Sequence, residues 1–251
     1  MSSLLCVVMI GHGTFSLSVA IWQRPPNALF VFALSLTACF FVSQLMLSEC
    51  TTAACRVVLV LFDLGGEANL PTWFSSSCWL LMAILSLFAA RRQDMKNLRL
   101  GWVIVALIAV YISVDETAML HETFGGAIGS RIVGGAPLGI FHWQVYGVLA
   151  VCGSMIVLAP FAYRLPAAVR NRLILAACVF ILAALGMETI EAKFFIPDPQ
   201  MNPDMIDPSN WVRMLRTTVE ELGEMIAIII AISAVIVYLL VPASINERRT
   251  T

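Results

Sequence analysis

The chain has 251 residues, of which 60% are hydrophobic and only 12% charged, with 15 Lys and Arg against 16 Asp and Glu. Mean hydropathy is +0.89, which predicts an integral membrane protein embedded in the lipid bilayer. A net charge of −1 offers no basic surface for nucleic acid. There is also no zinc-finger spacing and no glycine-rich phosphate loop, so nucleic-acid and nucleotide partners are excluded.

Apolar runs long enough for a ~30 Å hydrocarbon core fall at 4–22, 28–48, 71–90, 100–122, 138–160, 171–193 and 212–241. The expected fold is all-α: a single polytopic transmembrane domain over 1–251, built as a bundle of about seven helices. Breaks carry turn chemistry: Pro25-Pro26-Asn27, Arg91 to Asp94, Gly125-Gly126 through Pro137, Pro166, and Pro197 through Pro208. The stretch 52–64 is too short to span easily and reads as an interfacial or re-entrant helix, with an eighth crossing as the lesser alternative.

Met1 to Leu5 has no positive n-region, so the first run reads as an uncleaved helix. Of seven cysteines, Cys50 and Cys55 share the predicted outer loop where an oxidising compartment could join them; the others read as small apolar packing residues.

Short cytoplasmic loops favour Lys and Arg. Arg24, the Arg91-Arg92-Lys96-Arg99 loop, the Arg164-Arg170-Arg172 loop and the Arg248-Arg249 terminus all fall on one side. The N-terminus is then outside and the C-terminus inside. Only Asp94 and Glu247 of the sixteen acids lie on the inner side, so the remaining acids face the periplasm or exterior.

Those acids gather in the outer halves of the later helices. On the fourth, Asp115 and Glu122 are seven apart, nearly two turns, and share a face flanked by Glu116 and His121. Tyr111 stands one turn before Asp115, within reach of a hydrogen bond. The fifth helix brings His142 and, four residues on, Tyr146. The sixth carries Glu188 and Glu191, and the seventh Glu220, Glu221 and Glu224. Charge at the bilayer centre costs at least ~2.5 kcal/mol, so such a gathering points to function.

Carboxylate pairs three apart on facing helices, joined by histidine, are how helical bundles hold two metal ions. Asp115, His121, Glu122, Glu188, Glu191, Glu221 and Glu224 are the expected ligands, followed by His142 and Glu116. Tyr111 and Tyr146 would stand behind them. No helix carries Glu-x-x-His, which departs from the ferritin-like pattern, and spacing does not choose among iron, manganese and zinc, or between one ion and two. The bland reading is that Glu220 and Glu221 are solvated near a helix start or paired with Arg213 and Arg216, and that His142 is an interfacial hydrogen-bonding residue.

His12, with His121 and His142, also allows a three-histidine reading. Together with Asp115 and Ser113 it is somewhat similar to the seven-helix ceramidase and adiponectin-receptor superfamily, which implies a zinc-dependent hydrolase. That reading leaves Glu188, Glu191, Glu221 and Glu224 without a role. The runs Asn69 to Ser75, Ser113-Val114-Asp115-Glu116 through His121-Glu122, and Glu220-Glu221-Leu222-Gly223-Glu224-Met225 more closely resemble a group of uncharacterised bacterial multipass membrane proteins. The resemblance covers roughly 69–241. It implies a bacterial inner membrane location and acidic and histidine positions that travel as a set, and it brings no activity.

The expected function is a membrane metal site, used for a di-metal oxidoreductase acting on a lipid-borne or apolar substrate from the outer leaflet. A hydrolase is less favoured because no serine-histidine arrangement is evident. The main rival is an ion- or proton-coupled carrier using the same acids as relays, although neither broken helices nor inverted repeats are obvious. A sensor or assembly subunit is a third reading.

The orientation has a direct test: a cysteine placed at Asp204 is expected to react with an impermeant reagent applied outside. Reaction from the cytoplasmic side alone would reverse the arrangement.

Overall fold

The computed structural model describes residues 8–10, 13–15, 26–46, 50–125, 127–128, 131, 142–194 and 209–240; of these, the side chains of 8–10, 13–15, Glu122, His142, 191–194 and 209–210 are left undescribed. Almost all of it is helical: α1 (Asn27–Leu45), α2 (Ala53–Leu61), α3 (Leu70–Arg91), α4 (Lys96–Ala118), α5 (His142–Arg164), α6 (Ala167–Ile181), α7 (Met187–Phe194) and α8 (Ser209–Leu240). Two π-helical segments interrupt this pattern, at His121–Gly125 after α4 and at Leu182–Gly186 between α6 and α7.

Among the described residues six helices are long and apolar enough to cross a membrane: Asn27–Leu45, Leu70–Arg91, Lys96–Ala118, Trp143–Arg164, Ala167–Ile190 and Trp211–Leu240. The seventh expected crossing, 4–22, falls mostly outside the described residues. Where it is described, Val8–Ile10 pairs antiparallel with Gly13–Phe15, so that part is not helical. The helix within 52–64 is nine residues long, about 14 Å at 1.5 Å per residue and too short to cross. Cys50 and Cys55 beside it are joined, with Cα atoms 5.6 Å apart.

A central helix organises the bundle. From Met225 to Val235 α8 is buried on nearly every side, packed against α1, α3 and α6. By contrast α5 leaves most of its apolar length uncovered, with Ile156 76% and Tyr163 80% exposed. Such apolar exteriors suit lipid rather than water.

The hairpin of α3 and α4 is fixed by a reciprocal pair in its interior. Ser76 Oγ donates to the Ser113 carbonyl at 2.7 Å and Ser113 Oγ donates to the Ser76 carbonyl at 2.8 Å. In apolar surroundings each hydroxyl must find an acceptor, and this exchange sets the register. At the far end Arg92 donates to the Leu239 carbonyl, and Trp102 meets Phe161 edge-on at 5.1 Å and Tyr238 at 4.7 Å. The basic residues of the 91–99 turn therefore lie at the opposite end from the acids of α4 and α8.

Gly101 makes the α4–α5 contact possible. A Cβ there would stand 2.1 Å from the Phe161 ring. Gly101→Ala is expected to lower the melting temperature: overpacking costs roughly 1–3 kcal/mol, against a helix-propensity gain of at most ~1 kcal/mol. Adding Phe161→Leu should restore much of the loss. An unchanged melting temperature for the single variant would contradict the packing.

Candidate acidic site

The site lies where α3 starts, α4 ends and the first half of α8 passes between them and α7. At the end of α4 the chain turns through Met119 in the left-handed conformation (φ 47°), whose N–H donates to the Asp115 carbonyl at 2.8 Å. This ends the α-helix before His121. Asp115 and Glu122 are therefore not joined by one continuous α-helix, which the seven-residue spacing argument requires.

Asp115 instead holds His121 by two bonds. Its Oδ1 accepts the His121 backbone N–H at 2.7 Å, and its Oδ2 lies 2.9 Å from His121 Nδ1. The imidazole packs edge-on against Trp143 with centroids 4.7 Å apart. Tyr111 does not bond Asp115 as expected; its hydroxyl accepts from Tyr146 at 3.3 Å. Those two tyrosines bridge α4 and α5.

Glu116 stands next along α4. It interacts electrostatically with Glu67, Asp115 and His121 and lies beside Ser75 of α3. From α8, Glu221 interacts with Glu116, Glu220 and Glu67, and Glu224 with Glu116, Glu221, Glu220 and Glu188. Glu220 is buried rather than solvated and receives Arg216 Nη1 at 2.6 Å, one turn earlier, which is the pairing expected for Arg216.

Glu67 is the member that sequence reasoning passed over. It sits in the turn leading to α3, a turn built by polar side chains. Asn69 caps α3 by accepting the Thr72 N–H at 2.9 Å, while its Nδ2 donates to the carbonyls of Asp63 (2.6 Å) and Gly66. Asp63 accepts the Gly65 N–H at 3.2 Å, and Ala68 takes a positive φ of 57°. These bonds fold the turn so that Glu67 comes within electrostatic range of Glu116 and Glu221.

Glu188 reaches the site because Gly223 lets α8 approach the π segment before it. A Cβ on Gly223 would stand 2.8 Å from Ala183 Cβ. Behind Glu188, Gln144 Nε2 donates to Thr189 Oγ1 at 3.3 Å, tying α5 to α7.

Six carboxylates, Glu67, Glu116, Glu188, Glu220, Glu221 and Glu224, thus form one interacting group, with the Asp115–His121 pair at its edge. Of the expected ligands, Asp115, His121, Glu188, Glu221 and Glu224 are near this end, and Glu116 is central rather than peripheral. The side chains of Glu122, Glu191 and His142 lie outside the described residues. Among the described residues no three His, Cys, Asp or Glu side chains are arranged to hold a metal ion.

Asp115→Ala removes both bonds to His121 and is expected to destabilise the protein by roughly 2–3 kcal/mol, with Asp115→Asn costing about half, because charge-assisted bonds are the stronger kind. Thermal unfolding in detergent checks it. Equal stability of the wild type and the alanine variant would show that the pair does not hold the turn.

No curated protein matches the chain, and no solved structure matches it. A match extends over residues 28–239 to the family described as a domain of unknown function, DUF8692. That span takes in all but the end residues Asn27 and Leu240 of the described long helices, and all six carboxylates, and the chain belongs to the DUF8692 family.

Proposed function

We propose that this is an integral membrane protein whose acidic cluster binds a cation. The observation behind the reading is the convergence of six carboxylates from four segments inside one end of an apolar bundle. Like charges removed from water repel strongly, and a bound cation lowers that cost for every carboxylate at once. A carboxylate-rich donor set with a neighbouring histidine suits iron, manganese or zinc.

With such an ion the site would serve a metal-dependent oxidoreductase acting on a lipid-borne or apolar molecule, the metal supplying Lewis acidity. Asp115 would keep His121 oriented, and Trp143 and the tyrosine pair would wall the site from the lipid side. The excess of Lys and Arg at the opposite end favours a cytoplasmic location for that end and an outward cluster, on the periplasmic side of a bacterial inner membrane.

An ion- or proton-coupled carrier is the second reading, and one observation favours it. Both π segments flank the cluster: His121–Gly125 follows Glu116, and Leu182–Gly186 precedes Glu188. Interrupted helices beside a charged site are the mark of carriers, and π segments often sit at functional sites.

Elemental analysis of purified protein decides the cation. Roughly one or two equivalents of transition metal are expected. Glu116→Ala and Glu224→Ala should lose it, and Asp94→Ala at the other end should keep it. The sign of a stability change gives an independent check. The double variant Asp115→Asn with Glu221→Gln should melt lower and become indifferent to chelator, since a ligand at about 100 times its Kd contributes roughly 2.7 kcal/mol. A rise in melting temperature, with a wild type that ignores chelator, would mean that the acids repel without a bound metal.

A further inference from the structure

A groove with a volume of about 300 Å³ runs between α1 and α2. Ala38, Val42 and Met46 form one wall and Val58, Leu59 and Phe62 the other, spacings that keep each set on one side of its helix. No carboxylate lines it, and the lining leaves water little to bond. Ser43, its one hydroxyl-bearing residue, donates to the Phe40 carbonyl at 2.7 Å, and Cys55 is held in the disulfide with Cys50. Apolar cavities of this kind stay dry, and the volume is within the ~300–1,000 Å³ of ligand clefts.

The groove opens away from the core: Val42, Met46 and Val58 on its walls are 58, 54 and 49% exposed. Because α2 follows α1 closely and leads into the turn of Glu67, it lies at the acidic end of the bundle, at the level where α1 leaves the hydrocarbon. Short apolar helices at that level sit at the boundary between lipid headgroups and acyl chains. Arg56 is the one charged residue of α2. It is exposed, adjoins Cys55 of the lining, and has no ion-pair partner among the described residues. A guanidinium is always charged and suits phosphate, which it can bond with two parallel N–H groups.

We propose that the groove between α1 and α2 is a phospholipid site, with one acyl chain lying along it and the phosphate bonded to Arg56. Charge and lining together select this occupant. A free phosphate would leave the groove unfilled, and an uncharged apolar molecule would leave the guanidinium unmatched. A second copy of α2 would offer another arginine rather than an anion. The bound lipid borders the acidic site, since Phe62 of the groove is followed by Asp63, whose carbonyl accepts from Asn69 in the turn of Glu67.

The test is native mass spectrometry of the full chain, stripped of lipid in detergent and titrated with dioleoyl phosphatidylglycerol. The wild type should hold a single molecule about tenfold more tightly than it holds dioleoyl glycerol, which has the same chains and no phosphate, the effect of one charge-assisted contact. Arg56→Gln should erase that preference. Val58→Trp fills the groove from a helix with no buried residue and should weaken binding of both lipids about tenfold, the loss of a few buried methylenes. Leu107→Trp, on an exposed side of α4, should not. Thermal unfolding identifies a variant that fails to fold, and Ala38→Trp fills the same groove from α1. Equal retention of the two lipids by the wild type, or an unchanged preference in Arg56→Gln, overturns the phosphate contact. Unaltered binding in both Val58→Trp and Ala38→Trp overturns the groove, as do lipid-free dimers that Val58→Trp abolishes, which would give this face to a second copy of the chain.

Discussion

Charge confined at one end of an apolar bundle is the constraint from which the other features follow. A carboxylate facing lipid is expensive, so the acids of α4, α7 and α8 can persist only if the helices turn them toward one another. That convergence creates repulsion in a region of low dielectric, where each pair interacts far more strongly than in water. Close helix approach is then required both to shield the cluster and to hold it together. Gly223 provides it against Ala183, and the Ser76–Ser113 exchange provides it between α3 and α4. The apolar half of α8 from Met225 onward anchors the whole arrangement, because the same helix that carries three of the carboxylates also forms the centre of the core.

Helix positions were legible because hydrophobic length is a local property. The segments expected at 28–48, 71–90, 171–193 and 212–241 correspond to α1, α3, the α6–α7 run and α8 within a few residues. The interruptions were not legible. Met119 ends α4 by adopting a left-handed conformation with no glycine to announce it, and the π segment at 182–186 lies in an unbroken apolar run. What favours that segment is the fit of Ala183 against Gly223, a contact between residues forty apart in sequence. Spacing arguments do not carry across such a break, as between Asp115 and Glu122, whereas Glu221 and Glu224 lie within continuous α8.

The membership of the cluster shows the same division. Glu188, Glu220, Glu221 and Glu224 are visible as acids inside apolar runs, an anomaly that sequence displays directly. Glu67 is not anomalous in sequence: it lies among Gly65, Gly66 and Asn69 and reads as an ordinary turn residue. Only the bonds from Asn69 to Asp63 and Gly66 fold that turn over the bundle end and give Glu67 its neighbours.

The two interruptions also divide the bundle mechanically. Helices α3, α4, α6 and α8 share the buried core, whereas α5 is covered over little of its length and meets the rest through a few discrete contacts: Trp143 on His121, Tyr146 on Tyr111, Gln144 on Thr189 and Phe161 on Gly101. Three of these four touch residues within or beside a π segment or the Asp115–His121 pair. Local stability follows the density of buried apolar contact, so α5, the least buried of the six long helices among the described residues, is the least restrained of them by packing. Its polar contacts lead to His121 and Thr189, on either side of the carboxylates, and its one buried aromatic among the described residues, Phe161, packs on Trp102 in the core. The bundle thus joins a rigid half that holds the charges to a lightly packed helix whose polar contacts lead to them.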